Sequence, residues 1–131
     1  MLINFTNHPS ALWSREQREA ALAYGEIVDL PFPAVPEDWD EGQVAALAEA
    51  WAARIAGLNP AAVVCQGEFT LTAAVVSLLL ARGIPALAAC SRRCVLEERQ
   101  QDGTTVKRAV FRFARFRPYV LPGGGGDGGP A

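Results

Sequence analysis

Histidine is almost missing from this 131-residue chain, which has one, at position 8. No carboxylates cluster at metal-site spacing, and Cys90-x3-Cys94 with one distant histidine is a poor zinc pattern, so no metal is expected. No apolar stretch approaches the roughly 18 residues that a spanning helix needs, and the start has no cationic signal-peptide region. These absences predict a cytoplasmic protein with no membrane partner. The three cysteines, Cys65, Cys90 and Cys94, are an odd set and read as reduced thiols, two of them at the ends of buried strands. The G-x-G-x-x-G, P-loop and G-x-S-x-G patterns are also missing, which removes the common dinucleotide, ATPase and hydrolase readings. No cofactor is expected.

What is present is largely apolar. Half the residues are hydrophobic, which excludes disorder for the body of the chain, and the length suits one domain with its own core. That domain is placed at residues 1–121, and the glycine-rich tail at residues 122–131 is expected to be disordered. The net charge of −2 conceals an asymmetry: residues 1–90 carry four basic and ten acidic side chains, residues 91–131 eight basic and four acidic ones. This balance implies no broad basic face, so no long nucleic acid is expected as a partner. Arg112, Arg115 and Arg117 read as an exposed strand face that keeps the protein soluble, the other reading being a compact positive patch with Arg92 and Arg93.

The hydrophobic pattern alternates between strand and helix. Leu2-Ile3-Asn4-Phe5 reads as a strand, followed by a helix with the capping-box pattern Ser14-Arg15-Glu16-Gln17 and a stripe of Leu12, Ala20, Ala21 and Tyr24. After Gly25 come a strand at Glu26–Leu30 and an extended connection held by Pro31, Pro33 and Pro36. A second helix is predicted at about Asp40–Ile55, with Val44, Leu47, Ala48, Trp51 and Ile55 at helical spacing. A third strand at Ala61–Cys65, a helix at about Thr70–Arg82 and a fourth strand at Pro85–Ala89 follow. Asp102-Gly103 between Val95–Gln101 and Thr104–Phe116 signals a hairpin, with Phe111 and Phe113 on one strand face and Arg112 on the other. The fold class is therefore α/β, a Rossmann-like sandwich with a mainly parallel sheet and a C-terminal antiparallel hairpin.

Three strand ends carry the candidate chemistry, because carboxyl-end loops of an open parallel sheet converge on one edge. After the first strand, His8 can shuttle a proton or hold a phosphate, or make only a structural hydrogen bond. Asn7 and Ser10 can donate to anionic oxygens, Ser10 being equally a turn residue, and Trp13 can stack on a base or fill the core. After the third strand, Gly67 lets the backbone approach a ligand between Gln66 and Glu68. Thr70 and Thr72 can meet phosphate at the next helix, where Thr70 is also a plausible cap. After the fourth strand, Cys90-Ser91-Arg92-Arg93 reads as a phosphate-facing loop, because guanidinium forks match phosphate oxygens.

Asn4-Phe5-Thr6-Asn7-His8-Pro9-Ser10, Trp13-Ser14 and Tyr24 to Pro33, with Gln66 to Thr72 and Phe113 to Tyr119, together resemble small stand-alone CRISPR-associated proteins with a CARF-like fold. The resemblance covers about residues 1–119, although the family would lead one to expect a more Ser/Thr-rich loop at Cys90–Arg93. It implies a homodimer of a type III CRISPR system that binds cyclic oligoadenylate across its two-fold axis, and ring nucleases occur in that group. The chain has no room for an effector nuclease and lacks the Arg-x4-6-His motif of HEPN ribonucleases. The expectation is a metal-independent ring nuclease with His8 moving the proton and Arg92 or Arg93 stabilising the phosphorane-like charge. Ligand contacts would come from Asn7, Ser10, Trp13, Gln66, Gly67, Glu68, Thr70, Thr72 and Ser91, and Phe69 and Trp13 would supply dimer contact. The alternative is a cyclic oligoadenylate binder without catalysis; a flavodoxin-like metabolite binder is a third class.

Overall fold

The structure, a computed structural model, describes residues 1–123. The tail expected at residues 122–131 therefore lies outside the described residues from residue 124 onward.

Short apolar runs bounded by turn residues form the sheet. Its strands are β1 (Leu2–Thr6), β2 (Ile27–Asp29), β3 (Ala62–Gln66), β4 (Ala86–Arg99) and β5 (Thr105–Pro118), in the order β2-β1-β3-β4-β5. All neighbours are parallel except β4 and β5. β1 is buried along its whole length, because both of its faces are covered. Side chains alternate between those faces. Ile3, Phe5, Val63 and Cys65 pack under α2 (Glu41–Gly57) and α3 (Phe69–Ala81). Leu2, Val64 and Leu87 face the other way, against Ala21 of α1 (Arg15–Leu22), Trp13 and Phe116. Fully burying a side chain such as Phe5 contributes about 1.5–3 kcal/mol.

Capping residues set the helix limits. Ser14 accepts from the Gln17 N–H at 3.2 Å, as the sequence pattern predicts. Asp40 and Gln43 form a reciprocal capping box at 3.0 Å in each direction. α3 is capped by Glu68 rather than Thr70: its carboxylate accepts from the Thr70 and Leu71 N–H groups at 3.0 and 2.9 Å. Leu12 does not join the apolar stripe of α1; it sits in a short 3₁₀ turn (Ser10–Leu12) and is 81% exposed.

One expectation about the sheet is overturned. Cys90-Ser91-Arg92-Arg93 is not a loop, because β4 runs unbroken from Ala86 to Arg99. The fourth strand and the first hairpin arm are one strand, so the sheet has five strands rather than six. Paired on β5, the backbone of Cys90–Arg93 needs no exit from extended conformation. β3 pairs with β4 only at Ala86 and Leu87; beyond them the hairpin is a two-stranded ribbon that projects from the sheet. Arg99 pairs with Thr105 around the Asp102-Gly103 turn, where Gly103 takes φ 87°.

A bulge sorts the ribbon's side chains. Cys90 pairs with Arg115 but Ser91 pairs with Phe113, which leaves Ala114 as an extra residue in β5. Without that bulge, Phe116 and Phe113, three positions apart, would point to opposite faces. With it, Phe116, Phe113 and Phe111 all lie on the α1 side, and Phe113 and Phe116 pack at 4.9 Å between centroids. The intervening arginines are sent to the other side.

Candidate functional site

The chain leaves β1 for β2 on one side and returns as β3 on the other, so the carboxyl ends of β1 and β3 form the switch point of the sheet. α2 and α3 together cover one face there, whereas the eight-residue α1 alone covers the other. The uncovered remainder is a cavity of about 550 Å³. Thr6, His8 and Gln66 stand at its strand ends, Ser14 and Gln17 at the start of α1, and Ser91, Phe111 and Phe113 on the ribbon. Leu12, Trp13, Val64 and Ala89 complete the wall.

A polar network fixes the loop that carries His8. The buried Asn4 amide donates to the His8 carbonyl at 2.8 Å and to Asp29 at 2.9 Å. The Thr6 hydroxyl donates to the Asn4 side-chain carbonyl at 2.8 Å and accepts from the His8 N–H at 3.1 Å. The Trp13 indole N–H also donates to the His8 carbonyl, at 3.2 Å. Asp29 further accepts from the Ser10 N–H at 3.3 Å and its hydroxyl at 3.1 Å. The backbone of His8 is thus held from several sides while its exposed imidazole borders the cavity.

The expected site residues divide sharply. His8, Trp13, Gln66 and Ser91 share the cavity. Trp13 is 8% exposed and packs on Phe116 at 6.0 Å, so it is a core residue with one edge on the cavity. The Gln66 carboxamide accepts from the Ala89 N–H at 2.9 Å, extending β3 by one side chain to hold β4. Asn7 is exposed and does not line the cavity, and Ser10 is committed to Asp29.

Gly67 does not mark a ligand's approach. A Cβ there would lie 2.5 Å from ring atoms of Phe32, so the close neighbour is the protein's own core. Glu68 and Thr70 bond to each other, and the N–H groups of Leu71 and Thr70 followed by the Thr70 hydroxyl hold the Glu68 carboxyl below its ordinary range. Thr70 lines a different cavity of about 440 Å³, with Trp39, Asp40 and Glu41. Thr72 is buried in α3, its hydroxyl without a partner among the described residues.

Arg92 and Arg93 cannot act on one phosphate, because adjacent strand residues point to opposite faces. Arg93 pairs with Phe111 on the cavity side; Arg92 pairs with Arg112 on the far side. Cys65 also faces away from the cavity, and burial pushes its thiol up to about 12. The Tyr119 hydroxyl donates to the Cys65 carbonyl at 2.8 Å, and burial first, then the neighbouring Cys65 and Cys90, raises its pKa above the ordinary value.

Sequence reasoning missed Asn4 and Asp29, which build the His8 loop, and Gln17, Phe111 and Phe113 as cavity walls. Asn4 carried a signal, since an amide inside an otherwise apolar strand must find partners. Among the described residues no three His, Cys, Asp or Glu side chains are grouped to hold a metal, and no helix is long and apolar enough to cross a membrane. No curated protein matches the chain, and no solved structure matches it. A family model does match, over residues 1–117, and by that match the chain belongs to the family described as Uncharacterized protein MJ1673 family.

Proposed function

We propose that this chain binds a cyclic oligoadenylate and cleaves it as a ring nuclease, without using a metal. The observation that carries the reading is the placement of the chain's one imidazole on a half-apolar cavity at the sheet's switch point. A volume of about 550 Å³ suits one nucleotide unit, inside the range of roughly 300–1,000 Å³ for small-ligand sites. Phe111 and Phe113 offer the base an aromatic wall. Ser14, Gln17 and Ser91 offer hydroxyl and amide groups to ribose and phosphate, and Arg93 stands one rung further along the same ribbon face. A ring of several adenylates exceeds one cavity, so the reading includes a two-fold homodimer. Leu12 and Phe111, 81% and 71% exposed at the cavity, are the apolar groups such a partner would cover.

The ring brings its own nucleophile. Each ribose 2′-hydroxyl lies beside a 3′–5′ phosphate, and its oxygen attacks phosphorus as the bond to the 5′-oxygen breaks. His8 takes the 2′-hydroxyl proton and returns a proton to the departing 5′-oxygen, leaving a 2′,3′-cyclic phosphate and a 5′-hydroxyl. Alignment and charge stabilisation carry the rest. The free thiols of Cys65, Cys90 and Cys94 fit a reducing cytoplasm.

A binding-only role is favoured by one fact: among the described residues the His8 imidazole has no hydrogen-bond partner to orient it, and only its backbone is bonded. Labelled cyclic tri-, tetra- and hexa-adenylate incubated with enzyme in excess chelator separate the readings. Cleavage by the wild type, and a loss of about 10²–10⁴-fold in His8→Ala with binding retained, are expected. Bound but intact rings select the sink; no binding refutes both.

A further inference from the structure

The bulge at Ala114 gives the ribbon a second, chemically different face. Opposite partners share a face, and Ala88, Cys90, Arg92, Cys94, Leu96 and Glu98 alternate along β4 away from the cavity. Their partners on β5 are Arg117, Arg115, Arg112, Val110, Arg108 and Val106. Five arginines, Arg92, Arg108, Arg112, Arg115 and Arg117, therefore occupy one side of one hairpin, and all five are exposed. From the Arg117 rung to the Arg108 rung the row runs roughly 26 Å at the usual strand rise. One carboxylate shares this face: Glu98, paired to Arg108 at 3.0 Å. Arg92 stands directly across from Arg112, and like charges at opposed positions destabilise a sheet.

We infer that this face binds the phosphate backbone of a DNA duplex. The charge and its donors fit that partner, since exposed guanidinium forks in a row match a line of phosphate oxygens. The shape fits too, because a two-stranded ribbon is one of the elements that the major groove admits. The aromatic residues lie on the other face, so this one lacks the stacking platform that a single strand uses. Of its large apolar groups, Leu96 and Val110 are partly buried and Val106 alone is exposed, beside Glu98 near the ribbon's tip, which is too little apolar surface for insertion into a lipid surface. The chain is acidic overall at −2, but the ribbon carries the row beyond β3, and fields from the body fade over a screening length of about 8–10 Å. The site is separate from the cavity and does not depend on the cyclic nucleotide reading.

The test is fluorescence anisotropy of the full chain with a labelled 20-base-pair DNA duplex of arbitrary sequence, across a salt series. Neutralising four phosphates gives a log–log slope of about −3.6, or roughly 150-fold weaker binding at 200 mM than at 50 mM salt. Arg92→Ala/Arg112→Ala/Arg115→Ala should flatten the slope by about 2–3. The charge-matched Arg15→Ala/Arg18→Ala/Arg82→Ala variant should bind as the wild type does. Should the first triple variant fail to fold, Arg112→Ala alone must flatten the slope by about 1. Absence of duplex binding at 50 mM salt, an unaltered slope in the variant, or tighter binding to single-stranded RNA or to phosphatidylserine vesicles each overturns the inference.

Discussion

Replacing Gly67 by alanine asks what that glycine is for. Its backbone lies outside the left-handed region, so space alone limits a side chain there. An added Cβ would sit 2.5 Å from Cδ1 and Cε1 of Phe32 and 2.6 Å from Cγ. The ring has little freedom to retreat: it is 6% exposed and packs on Phe5 at 4.8 Å, and its own N–H donates to the Thr6 carbonyl at 3.2 Å. Overpacking of this kind costs about 1–3 kcal/mol. For 131 residues the unfolding entropy is about 0.28 kcal/mol/K, so a loss of about 2 kcal/mol lowers Tm by about 7 °C. Thermal and urea melts of the wild type, Gly67→Ala, Phe32→Leu and the double variant measure it. In the Phe32→Leu background the alanine should cost less than about 0.5 kcal/mol, because the clashing ring is gone. A Gly67→Ala protein melting within about 1 °C of wild type, yet losing ligand affinity, would refute the packing argument and restore the glycine to a binding role.

Two further perturbations address the loops around the sheet edge. Asn4→Ala leaves the His8 carbonyl and Asp29 short of a donor and should cost about 1–3 kcal/mol; Asn4→Asp, which sets an anion against Asp29, should cost more in urea melts. The reverse order would show that the amide's donors are not what holds the loop. Glu68 supplies a pH test. Its folded carboxyl lies below the ordinary 4.5, so its stabilisation is complete above that pH and is lost as pH falls through the lower folded value. The Tm gap between wild type and Glu68→Gln should therefore close as pH drops from neutrality to below 4.5, and a gap constant with pH contradicts the cap.

Most of the fold was legible because its signals are local. Ser14 and Asp40 announce helix starts, Gly83 a helix end at φ 74°, and Asp102-Gly103 a hairpin turn, each by chemistry within a few residues. The parallel strands showed as short apolar runs between turn residues. What failed was the join between Ala89 and Val95. Small and charged residues there look like a loop, yet pairing with β5, a non-local contact, keeps them extended. The misplaced cap at Thr70 has a different cause: glutamate is an unusual N-cap, and Glu68 takes the role by reaching both the Thr70 and Leu71 N–H groups.

The candidate site was half legible, and the boundary follows the same distinction. His8, Trp13, Gln66 and Ser91 meet because strand ends in a parallel sheet converge, a rule of topology that needs no side-chain detail. Gly67 misled because a glycine's reason can lie across the fold, here in the ring of Phe32. The arginines misled more instructively. Strict alternation along Phe111-Arg112-Phe113-Ala114-Arg115-Phe116-Arg117 places Arg112 with Ala114 and Phe116, and sets Arg115 and Arg117 with Phe111 and Phe113. Each face then reads as a dilute mixture, and no concentration of charge is apparent. The bulge takes Ala114 out of the alternation and so separates the chain into an aromatic face and an arginine face. The segment does carry the signal, since aromatic and arginine alternate on both sides of Ala114 and slip by one there. A bulge is the single local event that reconciles such a slip with a continuous strand. The cavity wall and the arginine row are therefore two products of one bulge: deleting Ala114 leaves Phe111-Arg112-Phe113-Arg115-Phe116-Arg117 in strict alternation. The deletion variant should keep both faces and still bind a DNA duplex in the anisotropy assay, and loss of that binding would refute the account.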